Sequence, residues 1–220
     1  MENTAQILQA ELGSEVFATF KMIAISLIIS LIVGGALGLI LYITSNQLFF
    51  KNKLVNSIAG FIVNIIRSLP FVILLVLLIP FTKLITGTQI GPIAASVPIS
   101  IASIAFFARL SEGAFNEIDK GVIEAAISSG AGFFLIFKDV LLVEARPSLI
   151  RAVTVNLISL IGCSAMAGIV GGGGIGDLAV RYGYYRYETG VMIVTVVILI
   201  VLVQFIQITG DLIVKRISKA

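Results

Sequence analysis

Histidine is absent from the 220 residues, cysteine occurs once, and Asp, Glu, Lys and Arg together make up only 12% of the chain. That charge fraction is about half that of an ordinary soluble domain, while 58% of the residues are hydrophobic. So few charged side chains cannot coat a core of this size, and they cluster between apolar runs; water is therefore not the main solvent. The lone cysteine, Cys163, excludes an intrachain disulfide and reads as a small packing residue within an apolar run. Without histidine, and with its twelve acids at the termini, in loops or at a span end like Asp211, the chain has no groups for an intramembrane proton relay. The same lack removes Ser/His pairs, His/Cys metal clusters and buried carboxylate dyads, which argues against an enzyme. The N-terminus carries Glu2, Glu11 and Glu15 and no basic region, so the first apolar run reads as a mature span, not a cleavable signal peptide.

What remains is apolar length. About 20 residues at about 1.5 Å rise each cross the roughly 30 Å of hydrocarbon in a bilayer. Five runs meet that test, at 22–43, 56–81, 92–108, 152–170 and 191–210, with Arg67 interrupting the second. The expected fold is an all-α integral membrane protein, a single transmembrane domain over 1–220, with no tandem repeat, low-complexity tract or second domain boundary. Five spans put the termini on opposite sides. With the N-terminus outside, the inner segments hold Lys51, Lys53, Arg109, Lys120, Lys138, Arg146, Arg151, Lys215, Arg216 and Lys219, against Lys21, Lys83, Arg181 and Arg186 outside. The positive-inside bias thus predicts an external N-terminus, a cytoplasmic C-terminus and a cytoplasmic loop over about 110–150. The net charge of +3 is a topology signal and points to the lipid bilayer, not to nucleic acid.

That loop mixes apolar and polar residues at helical spacing, with glycine breaks. A bundle with no titratable relay that moves solute uphill must receive its energy from a partner, and this loop is the one substantial inner surface for docking. Within it, Glu124, Ala125 and Ala126 precede Gly130 in "EAAISSG", with Ser129 between. Small residues let another surface approach, Gly130 suits a left-handed stop, and Asp119 suits an N-cap. Taken alone, the pattern fits any surface helix with a glycine stop.

The EAAxxxG spacing resembles the loop signature of ABC importer permeases. The family form ends in an Ile-x-Leu-Pro segment; here Val140, Leu142 and Val143 stand in its place without the proline, and Pro147 offers a break one turn later. From about Val16 to Lys219 the chain is similar to the permeases of methionine-type ABC importers through "NIIRSLPFVILLVLLIPFTKLITG", "GCSAMAGIVGGGGIGDLAVRYGY" and "QFIQITGDLIVKRI". This resemblance implies the type I ABC importer permease fold, a homodimer, and two copies of a cytoplasmic ATPase that bind ATP and Mg, with no cofactor in this chain. It also implies an extracytoplasmic substrate-binding protein, a bacterial cytoplasmic membrane location, and import of methionine (L-, D- or a derivative) by alternating access. Glu124, Ala125, Ala126, Ser129 and Gly130 would couple to the ATPase. A passive channel, an importer of another small amino acid and a nontransporting assembly subunit are the rival readings.

Four further features carry two readings each. Gly171, Gly173 and Gly176 match GxGxxG, but they follow a span instead of a strand, so a tight external turn is expected and not a dinucleotide site. Gly34 and Gly38 form a GxxxG pair, for packing within the subunit or for dimerisation. Asn156, Ser159, Cys163 and Met166 recur at helical steps along one face of the fourth span, either as a solute path or as interhelical hydrogen bonding. Arg67 and Arg109 either snorkel to the inner interface, the commoner case, or pair across helices.

Overall fold

The computed structural model describes residues 4–218; Glu2 and Lys219, which entered the charge reading, lie outside them. No strand occurs among the described residues. Helix α1 (Thr4–Ser45) is followed by α2 (Lys53–Ser68), α3 (Phe71–Leu77), α4 (Ile79–Thr86) and α5 (Pro92–Asn116). The short α6 (Lys120–Ser128) leads through Phe133–Leu135, Ile136–Leu141 and Leu142–Glu144 into α7 (Arg146–Val170). Then come α8 (Ile175–Leu178), its π-helical continuation Ala179–Tyr184, and α9 (Thr189–Ile217).

Four of these helices are long and apolar enough to cross a membrane, and the bent pair α2 and α3 makes five. The spans are longer than hydropathy alone predicts, because helix continues past the hydrocarbon. At 42 residues, α1 is about 63 Å long by helical rise. Its first turns pack Ile7, Leu8 and Leu12 against Leu178, Tyr182 and Val191 and carry the ion-pairing Glu11 and Glu15 beside them.

The second span is the clear departure from expectation. In place of one helix over 56–81, the chain breaks at Leu69 and Pro70 and turns by 103° between α2 and α3. The cause is local: proline drives the preceding residue out of helical geometry, and Leu69 sits extended at φ −82° and ψ 131°. Asn52 starts α2 by accepting hydrogen bonds from the amides of Leu54 and Val55.

Helix α5 is the centre of the bundle. In its most apolar stretch 56% of residues are buried by the rest of the chain, against 11% in α9, which leaves α9 facing outward. Close approach of α1 to α5 depends on two glycines. A Cβ at Gly34 would stand 2.8 Å from the Ile104 carbonyl oxygen, and one at Gly38 would stand 2.5 Å from that of Ala108. The GxxxG pair is thus used for packing within the subunit, and the π-helical turn Ser30–Gly34 lies where the two helices meet.

Candidate functional site

Asp119 caps α6 as expected, its carboxylate accepting from the Gly121 amide. Gly130 ends it at φ +80°, with its own amide bonded to the Ile127 carbonyl and that of Ala131 to Ala126. Ile123 is fully buried in a cluster with Tyr42 of α1, Phe115 of α5, and Ile118, Ile136 and Leu141. This anchor fixes the helix against two spans at once. The five residues of the expected coupling set then divide. Glu124, Ala125, Ser129 and Gly130 are exposed, with Val122 and Ile127 beside them, whereas Ala126 is half-buried and packs onto the Ile123 cluster. A substitution at Ala126 therefore disturbs the anchor as well as any docking face. Pro147 lies in the first turn of α7, but helical bonding runs on through Ala145, whose amide bonds the Leu141 carbonyl and whose carbonyl accepts from the Leu149 amide, so Pro147 supplies no clean break before the fourth span.

The polar stripe of α7 also divides. Asn156 is fully buried and hydrogen-bonded on both sides: its amide donates to Ser30 Oγ at 3.0 Å, and its oxygen accepts from Ser103 Oγ at 2.9 Å. It ties α1, α5 and α7 together and does not line an open space. Above it, Ser100 donates to Ser26 Oγ at 3.2 Å and Ser26 to the Ser96 carbonyl at 3.2 Å, which extends a buried polar ladder between α1 and α5. Met166 is exposed and points away from this network. Ser159 and Cys163, by contrast, line a cavity of about 270 Å³ together with Arg67, Phe71, Ser103 and Phe106. The break in the second span shapes one wall of that cavity.

Arg109 takes the second of its two readings. It donates to the Gly60 carbonyl at 3.2 Å and to Asn64 Oδ1 at 3.0 Å on α2, and pairs with Glu112 at 2.7 Å. Arg67, in the last turn of α2, lines the cavity and has no hydrogen-bonding or ionic partner among the described residues.

At the opposite end of the bundle, Gly171, Gly173 and Gly174 all have positive φ and form the tight turn expected of the glycine cluster. Gly176 sits against the α7 backbone, where a Cβ would lie 2.3 Å from the Ala165 carbonyl oxygen. The turn is closed by α1: Thr19 Oγ1 accepts from the Ile175 amide at 2.9 Å. Arg181 then binds Glu11 at 2.7 Å, Glu15 at 3.0 Å and Asp177 at 3.1 Å. The Tyr182 hydroxyl donates to Glu11; that bond, helped by burial, raises the phenol's pKa against the opposing pull of Arg181 and Arg186. Nothing in the local sequence pairs Glu11 with Arg181 across the whole chain. Only the i,i+4 spacings of Glu11 with Glu15 and of Asp177 with Arg181 hint that each side forms a charged face.

This arrangement, a five-span helical bundle with a short exposed helix held at one end, has close counterparts. Residues 34–219 match the family described as "Binding-protein-dependent transport system inner membrane component". A probable D-methionine transport system permease protein MetI of Vibrio cholerae is 49% identical over 91% of this chain and 89% of its own length. The methionine import system permease protein MetP of Bacillus subtilis is 47% identical over 82% of this chain and 81% of its own. A solved chain from an inward-facing MetNI methionine ABC transporter superposes with a TM-score of 0.93 at 42% identity, covering 96% of this chain and 97% of the other. An amino acid ABC transporter at 20% identity shares the fold with a TM-score of 0.78. The architecture is that of the type I ABC importer permease, and the chain belongs to the binding-protein-dependent transport system inner membrane component family.

Proposed function

We propose that this chain is the membrane-spanning subunit of an ATP-driven importer of methionine, L- or D-, working as a homodimer with two copies of a cytoplasmic ATPase. The observation that carries this is a short helix whose exposed Glu124, Ala125 and Ser129 face is rigidly joined, through Ile123, to Tyr42 of the first span and Phe115 of the third. Motion of a docked ATPase at that face is passed directly to the bundle, which then alternates between inward and outward openings. ATP and Mg are held by the ATPase, where hydrolysis occurs. An extracytoplasmic binding protein delivers the substrate. The chain's place is the bacterial cytoplasmic membrane, with its N-terminus outside and its C-terminus inside, in keeping with the lysine and arginine bias of the α6 end. The relatives named for methionine transport support the substrate.

The test is uptake of labelled methionine into proteoliposomes holding the permease, its ATPase and its binding protein. Uptake is expected only with ATP, and Ala125→Arg is expected to lower it about tenfold or more by spoiling the docked face, a loss of roughly 1.4 kcal/mol or more in coupling. Because Ala125 is exposed, that variant should reach the membrane in normal amount. Equal uptake by the variant would overturn the coupling role, and ATP-independent equilibration would identify a passive channel.

A further inference from the structure

The cavity at the break of the second span has a composition that the importer reading alone does not explain. Its single charge is Arg67, no Asp or Glu lines it, and Arg67 has no partner among the described residues. An arginine within a membrane span is costly, and it normally pairs or faces a watery space. Around it stand two hydroxyls, Ser103 and Ser159, and an apolar wall that includes Phe71, Phe106 and Leu74. At about 270 Å³, the space falls just below the roughly 300–1,000 Å³ of drug-sized ligand sites and suits one small molecule, not a peptide.

The geometry points to a transit site for a single apolar α-amino acid, with its carboxylate on Arg67. This deepens the importer reading and rests on it. The guanidinium fork is matched to a planar carboxylate and gives a charge-assisted, bidentate pair. Phosphate, which is more highly charged, would be poorly met by one cation among apolar groups. The substrate's ammonium falls toward the hydroxyl oxygens of Ser103 and Ser159. Its side chain packs on Phe71 and Phe106, a surface that favours a thioether. Since Pro70 sets the 103° turn, a change in that angle would widen or close the cavity and release its content.

Cys163 lines the cavity and is the only cysteine in the chain, so its modification can be read without altering the protein. In the reconstituted complex of permease, ATPase and binding protein, the rate of Cys163 labelling by a small methanethiosulfonate is followed by mass spectrometry of the permease. Methionine should slow labelling, and methioninol, which lacks the carboxylate, should not. Arg67→Gln should shift the methionine needed for protection by about ten- to a hundredfold and abolish any preference for an anionic over a cationic reagent, while Arg67→Lys keeps part of both. Labelling that ignores methionine in a complex that still imports it overturns the carboxylate site and leaves the importer standing, as does a cysteine that no reagent reaches. A wild-type complex that imports no methionine overturns both.

Discussion

The first, third and fourth spans contrast with the second in how they are held. Between α1 and α5 the contact is backbone on backbone, with Gly34 and Gly38 leaving no room for a methyl group, and Asn156 bolts α7 to both through Ser30 and Ser103. The second span makes its interhelical hydrogen bonds before its break, and past it is held by the packing of Leu74 and Leu75 in the core. Asn56 donates to the Leu41 carbonyl at 2.8 Å, and Arg109 reaches Gly60 and Asn64. Past Ser68 the span breaks, turns and borders a cavity. Interiors packed this closely move as units, while a broken helix beside free volume can bend. A transporter assembled from such parts would move a rigid three-helix body, driven through Ile123, against a jointed second span.

The contrast is easiest to break at Gly38. In Gly38→Val, side-chain atoms must fit where even a Cβ would lie 2.0 Å from Ser111 Oγ and 2.5 Å from the Ala108 carbonyl oxygen, which forces α1 away from α5. A cost of about 3 kcal/mol or more is expected, seen as a lowered melting midpoint and loss of the monodisperse peak in detergent. Gly113→Ala, on the same α5 but with nothing within 4 Å of the added carbon, should be neutral or slightly stabilising. If the two variants melt alike, the backbone contact is looser than described.

Asn156→Leu tests the bolt itself. It removes both interhelical bonds and leaves the buried Ser103 hydroxyl without its acceptor, while Ser30 keeps its bond to the Leu27 carbonyl, for an expected loss of about 1–3 kcal/mol. Ser159→Ala, one turn along on the cavity wall, should leave the midpoint unchanged within about 0.5 kcal/mol. Equal losses in both would mean that the stripe is one continuous structural seam, without a division between bolt and cavity.

Sequence reached the five apolar runs, the Asp119 cap, the Gly130 stop and the glycine turn, because each is set by residues within a turn or two of one another. It overestimated the second span's continuity: hydropathy is blind to the backbone, and Pro70 lies inside a run whose side chains are as apolar as any in the chain. The division of the α7 stripe was out of reach for a different reason. Steps of three and four place Asn156, Ser159, Cys163 and Met166 on one face, yet which of them meets a neighbour is decided by Ser30 and Ser103, 126 and 53 residues away. Arg109 was open to two readings for the same cause, since its partners sit on α2.

A small effect on stability, and the sharpest view of the joint, should come from Pro70→Ala. Alanine restores an amide that can bond the carbonyl four residues back and relieves the extended restriction on Leu69, so α2 and α3 can approach a continuous helix. Global stability should change by less than about 1 kcal/mol when refolding is local to the break, because Asn56 and Arg109 hold the span before it and Leu75 keeps its core cluster beyond it. Amide exchange at residues 69–74 should nonetheless slow by about tenfold as the new bonds form, while exchange in α5 stays as it was. A large fall in the melting midpoint would show that the bent form is packed as tightly as the three-helix body, and the joint would then be a fixed corner. Slower exchange confined to 69–74, with methionine uptake reduced in the same preparation, would show instead that transport needs the span to bend there.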